Sequence, residues 1–292
     1  MGDPAILIYG SVENPALVLI NNHLRQRGKR RVVFQVQERF PRDVGLYLGN
    51  GPTLKGSVLM PDSDEPLLLE DVVSVCLDGF YISQEGLREF TPEDLTYLQT
   101  ESWAALIAMF YRLSRHCLVA NHVIPRDLVA SRWSELCLLS HHGLEIPRTL
   151  ITSDGEALAA FAEELSGKVV CKPVTGVEPT FRRLEPSDLE QPEKLALAPV
   201  HFEEEPEGEV CRAVVIGTGV EVQPAESEPP PQAILGRCLA VCRELELHMA
   251  EVALRRTSRG WLATGLRRFL SPEILAEEAT LEKVARLLEE GR

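Results

Sequence analysis

No apolar run in this chain approaches the roughly 20 residues a helix needs to cross a bilayer, so no transmembrane span is expected. Basic residues are not in excess: 30 Lys and Arg stand against 44 Asp and Glu, a net charge of −14. That balance argues against non-specific binding to nucleic acid or to an anionic membrane, and leaves only local basic pairs, Arg255–Arg256 and Arg267–Arg268. Several motifs of common enzyme classes are missing: the Walker lysine loop, GxGxxG after a strand, HExxH and a Ser-His-Asp arrangement. There is no internal repeat. The N-terminal MGDPAILIYG has neither a basic start nor a long apolar core, so it does not read as a signal peptide, and a cytoplasmic protein is expected. The seven cysteines are odd in number and mostly sit in apolar runs (SVCLDG, VVCK), which predicts buried, reduced thiols. Cys238 and Cys242 are four apart, but no nearby histidine or second pair completes a zinc site.

What is present fits a soluble globular chain. Its 292 residues are 45% hydrophobic and 25% charged, enough for two or three small domains with their own cores. AILIY (5–9) and RVVFQV (31–36) have strand length and β-rich composition, and the stretch between them reads as a helix ended by Gly28; this strand–helix–strand unit implies parallel strands. Residues 43–60 alternate, with a hairpin turn expected at Gly49-Asn50-Gly51. A strand follows at 72–77. A long helix over 92–115 has Pro92 at its start, Glu93 and Asp94 in its first turn, and Trp103, Leu106, Ile107 and Phe110 at helical spacing. Residues 1–118 therefore read as an α/β domain.

A second unit, 119–170, has an apolar stripe of Leu128, Trp133, Leu136 and Leu139, closed by Gly143. The third, 171–292, is richer in strands. AVVIGTGVEVQ reads as a hairpin turning at Gly217-Thr218-Gly219, and PAESEPPPQ (224–232) as an exposed loop. A helix over 233–247, strands at 249–254 and 261–266, and a charged amphipathic helix from Pro272 to Glu290 complete it.

The order of motifs carries more than any one of them. A helix leads into Gly143-Leu144-Glu145-Ile146-Pro147 and a short strand; a helix opened by Ser153–Asp154 follows, then a strand ending on the lone Lys172. Further on come His201-Phe202-Glu203-Glu204-Glu205, EVCRAVVIG with Arg212, and MAEVALRRTSRGWLATGLRRF. Over about residues 4–268 this order resembles the ATP-grasp superfamily, most closely its RimK-like and graspetide (MvdD-type) peptide ligases. The resemblance implies α/β and α+β architecture: an N-terminal pre-ATP-grasp domain (1–118), then central (119–170) and C-terminal (171–292) ATP-grasp subdomains that close over ATP.

It also implies roles. Lys172 matches the lysine of the family's "vvxKP" strand and would contact phosphate; the plain alternative is a solvated lysine at a strand end. Where the family has its first phosphate lysine this chain has Ser131–Arg132, and Arg132 would substitute, its guanidinium suited to bidentate contact; a surface arginine is the alternative. Glu203 and Glu204 fall at the hinge that meets adenine and ribose, though a run of acids is also what a solvated turn looks like. Arg212 matches the arginine that points at phosphate or substrate carboxylate. Glu251 falls at the first magnesium ligand, but Gly265 and Arg267 stand where the family has glutamate and asparagine, and neither supplies the oxygen magnesium needs.

Two functions stay open on the sequence. One is an ATP-dependent carboxylate–amine ligase acting on a peptide or amino acid through an acyl-phosphate, with magnesium use altered. The other is an inactive grasp-fold protein that binds nucleotide or a peptide partner as a regulatory subunit. A homodimer is the oligomer that the resemblance suggests.

Overall fold

The structure is a computed structural model that describes residues 3–40, 43–49, 56–59, 65–77, 90–121, 131–175, 181–190, 195–224 and 229–291. β1 (Ala5–Gly10) is buried along its whole length, as expected of an apolar strand covered on both faces. α1 (Pro15–Arg27) begins where Asn14 Oδ1 accepts from the Ala16 and Leu17 amides, and ends at Gly28, whose φ of 62° closes the helix in the left-handed region. β2 (Arg31–Val36) then lies parallel to β1, Tyr9 opposite Gln35.

β3 (Gly45–Leu48), β4 (Gly56–Leu59) and β5 (Leu67–Leu68) form a small antiparallel sheet. The turn expected at Gly49-Asn50-Gly51 lies outside the described residues at 50 and 51. β6 (Val72–Leu77) and β7 (Leu118–Ala120) extend the parallel sheet to the order β2-β1-β6-β7. Between them runs α2 (Pro92–Ser114), opened by a capping box in which Thr91 Oγ1 accepts from the Asp94 amide and Asp94 from the Thr91 amide. Leu7 and Tyr9 point to one face of the sheet, against Leu106 and Phe110 of α2 and against Val58 and Leu67 of the small sheet. Ile6 and Ile8 point to the other, against Leu17 and Ile20 of α1. The alternation is the ordinary period of two along a strand.

The next unit holds α3 (Arg132–His141), β8 (Thr149–Thr152), α4 (Gly155–Glu164), β9 (Val169–Lys172), β10 (Arg182–Arg183), α5 (Pro186–Leu189) and β11 (Val200–Glu204). Its sheet has the order β10-β9-β11-β8, so β9 spans the boundary expected between residues 170 and 171. Phe202 and Val169 face α4 through Leu158 and Ala162. In α3, Leu136 and Leu139 are buried as expected, but Trp133 is 43% exposed; Leu128 lies outside the described residues. The buried stripe runs through Arg132, Leu136 and Leu139, and Trp133 is rotated about 100° from it, one residue's step around the helix.

β12 (Glu209–Ile216) and β13 (Gly219–Gln223) form the expected hairpin, with Gly217 at φ 60°. α6 (Gln232–Glu244) follows, then β14 (Met249–Thr257) and β15 (Gly260–Arg267), both longer than the apolar runs that predicted them; of the loop expected at 224–232, residues 225–228 lie outside the description. Their sheet, β13-β12-β14-β15, packs one face on α3 and α6. The last two helices, α7 (Pro272–Leu275) and α8 (Glu278–Glu290), return to the first sheet: Ile274, Leu275, Val284 and Leu288 join Ile6, Ile8 and α1 in one core. Ser74 Oγ donates to the Leu288 carbonyl at 2.6 Å, and Arg27 holds Glu289 at 2.7 Å and Glu282. The chain's end thus covers its beginning. Among the described residues no helix is long and apolar enough to cross a membrane.

Candidate functional site

Two sheet faces carry the polar groups singled out by the sequence. On β9 and β11, Lys172 stands opposite His201, and Glu203 lies two residues beyond on the same side. Phe202, between them, turns the other way into the core with α4. The alternation that buries Phe202 therefore sets His201, Glu203 and Lys172 on the face away from that core. On the other sheet, Arg212 is opposite Ala253 and Ala253 opposite Gly265, while Glu251 is opposite Arg267. Arg212, Glu251, Gly265 and Arg267 thus share one face.

Arg132, the first residue of α3, joins the two. Its Nε donates to Glu203 Oε1 at 2.7 Å and its Nη2 to Glu203 Oε2 at 3.3 Å, both on β11. Nη2 also donates to the Thr264 carbonyl on β15, and Nη1 to Glu135 one helical turn along α3. Glu135 in turn accepts from the Leu266 amide at 2.8 Å. The local cause is Ser131, whose Oγ caps the helix by accepting from the Ser134 amide and so starts α3 at Arg132.

Lys172 Nζ donates to Glu203 Oε2 at 2.6 Å. Glu203 is fully buried, with His201 Nε2 3.1 Å from its Oε1. Burial alone would raise the Glu203 pKa, but His201, Arg132 and Lys172 outweigh it and hold the carboxyl far below its ordinary range. Lys172 also moves down: desolvation and the neighbouring Arg132 charge outweigh its contact with Glu203. One carboxylate is thus held between two cations. Burial pushes the Glu135 carboxyl up, against the pull of Arg132.

Lys172, Arg132 and Glu203 are therefore brought into one hydrogen-bonded cluster. Arg212 and Glu251 form a second pair, Arg212 Nε lying 3.4 Å from Glu251 Oε2. Glu251 is 4% exposed and also accepts from the Ser271 amide. Glu204 stands apart from both. It accepts from Arg259 Nη2 at 2.7 Å and from the Arg148 amide at 3.3 Å, at the edge of a cavity of about 360 Å³ lined also by Lys168, Gly208 and Arg256.

Among the described residues no three Asp, Glu, His or Cys side chains are grouped to hold a metal. Arg267 faces Glu251 across the strand pair, and a Cβ built on Gly265 would lie 3.3 Å from Arg132 Nη1, so guanidinium groups occupy the neighbourhood of Glu251 and Gly265.

Glu135 and Asn121 were not singled out by sequence. Asn121 Nδ2 donates to the Met249 and Arg268 carbonyls, and its Oδ1 accepts from the His248 and Met249 amides at 2.8 and 2.9 Å, tying the end of β7 to the start of β14. The signal for Glu135 was there, since an acid three residues after Arg132 lies on the same helix face. Nothing local marks Asn121, whose partners are more than 120 residues away in sequence.

No protein-family model matches the chain, and no curated protein matches it by sequence. Solved structures do match it over nearly all its length. The macrocyclase MdnC of Microcystis aeruginosa MRC, bound with the precursor peptide MdnA, is 16% identical, with a TM-score of 0.82 over 98% of this chain and 99% of that one. A RiPP-associated ATP-grasp ligase of Chryseobacterium gregarium, in complex with ADP and a leader and core peptide, is 17% identical, with a TM-score of 0.80 over 98% and 96%. The ATP-grasp ligase PsnB, complexed with a minimal precursor, Mg and ADP, is 22% identical, with a TM-score of 0.75 over 97% and 96%.

Proposed function

From its ATP-grasp fold, we propose that this chain binds ATP between the β10-β9-β11-β8 and β13-β12-β14-β15 sheets and joins a carboxylate to an amine on a peptide, through an acyl-phosphate. The observation that carries the reading is the cluster Lys172–Glu203–Arg132: two cations converging on one buried carboxylate between the two sheet faces. A triphosphate needs such fixed positive charge to offset the negative charge that develops on transfer. Lys172 and Arg132 take the phosphates. The backbone of 203–205 meets adenine and ribose, while the Glu204 carboxylate, held by Arg259 on the other side of β11, takes no part. Arg212 brings the acceptor carboxylate beside the γ-phosphate, and the peptide-bound neighbours favour a peptide as its source. Glu251 would give the protein's oxygen to a magnesium ion, which would offset the charge on the phosphates. Arg267 supplies a fixed charge beside it.

Two copies pair through α2, whose outward stripe of Tyr97, Thr100, Ala104, Ala108 and Tyr111 is uncharged and symmetric about Ala104. An antiparallel contact would set each tyrosine against its partner's. The protein works in the cytoplasm.

A second reading, an inactive nucleotide-binding subunit, is favoured by one observation: Gly265 and Arg267 at positions where oxygen ligands were expected. Phosphate release on adding candidate acceptor peptides separates the two. Stimulated release, abolished by Arg212→Ala while ATP affinity is retained, supports the ligase. ATP binding by calorimetry without stimulation by any peptide supports the subunit, and absence of ATP binding refutes both.

A further inference from the structure

A group of buried polar atoms lies away from the proposed nucleotide site, at the carboxyl ends of β1 and β2. Tyr9 and Gln35 are opposite one another in these parallel strands, so their side chains share the face that packs on α2. Tyr9 is 0% and Gln35 1% exposed. The Tyr9 ring is fixed edge-on against Phe110, 5.3 Å between centroids. Glu38 follows in the short turn after β2.

Four atoms here, Tyr9 Oη, Gln35 Nε2, Gln35 Oε1 and Glu38 Oε2, are buried and have no hydrogen-bond partner among the described residues. Glu38 Oε1 accepts a long contact from Gln37 Nε2 at 3.4 Å. Buried polar groups are nearly always satisfied, and an orphan costs more than an apolar residue of the same shape. Val33, on the same side of β2 as Gln35, packs into the same core, so an apolar residue suits this surface. The strand nevertheless keeps a carboxamide. The group lies at the carboxyl ends of β1 and the edge strand β2, and Tyr9, on β1, also borders the crevice between β1 and β6 where the strand order reverses.

The atoms define what would satisfy them. Tyr9 O–H and Gln35 Nε2 donate; Gln35 Oε1 and Glu38 Oε2 accept. Burial and the Glu38 carboxylate both push the Tyr9 phenol up, which keeps it a donor. An anion would face the Glu38 charge. An alkylammonium would leave the donors of Tyr9 and Gln35 with nothing to donate to. A primary carboxamide offers two N–H groups and one carbonyl with two lone pairs, which match the four atoms in number and polarity.

We propose that Tyr9, Gln35 and Glu38 form a second binding site, selective for a primary carboxamide, either on a free small molecule or on the side chain of a glutamine or asparagine in a peptide. The site is independent of the nucleotide reading.

The test is saturation-transfer NMR on the full chain without nucleotide. The probes are propionamide and N-acetyl-glutamine methylamide, with propionate, the glutamate counterpart and propylamine as controls. Both amides saturate and the acids and amine do not; saturation by the capped glutamine alone assigns the site to a peptide side chain. Gln35→Leu weakens binding by about tenfold or more, as loss of two hydrogen bonds predicts, while its melting temperature stays level or rises because an orphan group has gone. Tyr9→Phe, which keeps the ring against Phe110, weakens binding less. Equal response to amide and acid, strong response to the amine, or no response to either amide overturns the proposal. So does binding that survives Gln35→Leu. A clear fall in the Gln35→Leu melting temperature also overturns it, because Gln35 would then be a satisfied structural residue.

Discussion

Replacing Glu203 by Gln keeps the side chain's shape and removes its charge, and the consequences differ for stability and for nucleotide binding. In the protein as it stands, Lys172 Nζ at 2.6 Å and Arg132 Nε at 2.7 Å share a carboxylate that is fully buried. The variant leaves two cations side by side in a poorly solvated space with a neutral amide between them. Breaking a buried ion pair from one side costs about 3–5 kcal/mol, because the remaining charge is uncompensated. The amide oxygen still accepts one bond, so the loss falls at the lower end, about 3 kcal/mol. Urea unfolding of the variant and the parent, with ΔG extrapolated from matched m-values, measures it. Nucleotide binding moves the other way. If Glu203 fills the place of a phosphate, ATP must displace it from Lys172, and its removal strengthens ATP binding. Each factor of ten corresponds to about 1.4 kcal/mol, and a gain of roughly ten- to a hundredfold is expected for one competing charge-assisted contact. Calorimetric titration with ATP reads this directly. Weaker ATP binding in the variant would show that Glu203 contacts the nucleotide itself, at ribose for example, and would refute the competition. Unchanged stability would refute the claim that the carboxylate holds the two cations.

Four further outcomes follow from the same contacts. Lys172→Met, which keeps the stem and removes the charge, folds and binds ATP about ten- to a hundredfold more weakly, and unchanged affinity in calorimetry removes Lys172 from the site. ATP binding falls only modestly when EDTA is added, since one carboxylate and two arginines surround the expected metal position; complete loss would show that a metal is indispensable. Because the Glu203 pKa is depressed in the fold, its stabilisation is fully present above the unfolded carboxyl value of about 4.3 and is lost progressively as pH falls below it; the acid limb of parent stability is therefore steeper than that of Glu203→Gln, and parallel limbs would contradict the assignment. Leu288→Ala, fully buried in α8 against the first sheet, costs about 2–5 kcal/mol by thermal or urea unfolding, and a loss under 1 kcal/mol would mean that the C-terminal helix is not part of that core.

Much of this protein is legible without coordinates. AILIY reads as a strand from its length and β-rich composition, and Asn14 and Gly28 mark the ends of α1 by chemistry that acts within a few residues. The same holds for Thr91 and Asp94 at the start of α2 and for Gly217 in the hairpin. Period-two alternation along β11 already separates Phe202 from His201 and Glu203, and the order of motifs was enough to suggest the ATP-grasp fold. What the sequence left open depends on residues far apart in the chain. That α8 closes the core of the first sheet follows from which apolar surface lay uncovered on β1 and α1, and amphipathicity states only that a partner exists. That Glu203 is a buried counter-ion and not a solvated acid was decided by Arg132, 71 positions earlier, reaching across from the start of α3. A run of glutamates looks the same in either case, because desolvation and pairing are properties of the packed site. Trp133 shows the same limit at closer range: helical spacing gives the stripe, but only packing against the β13-β12-β14-β15 sheet fixes which side of the helix it occupies.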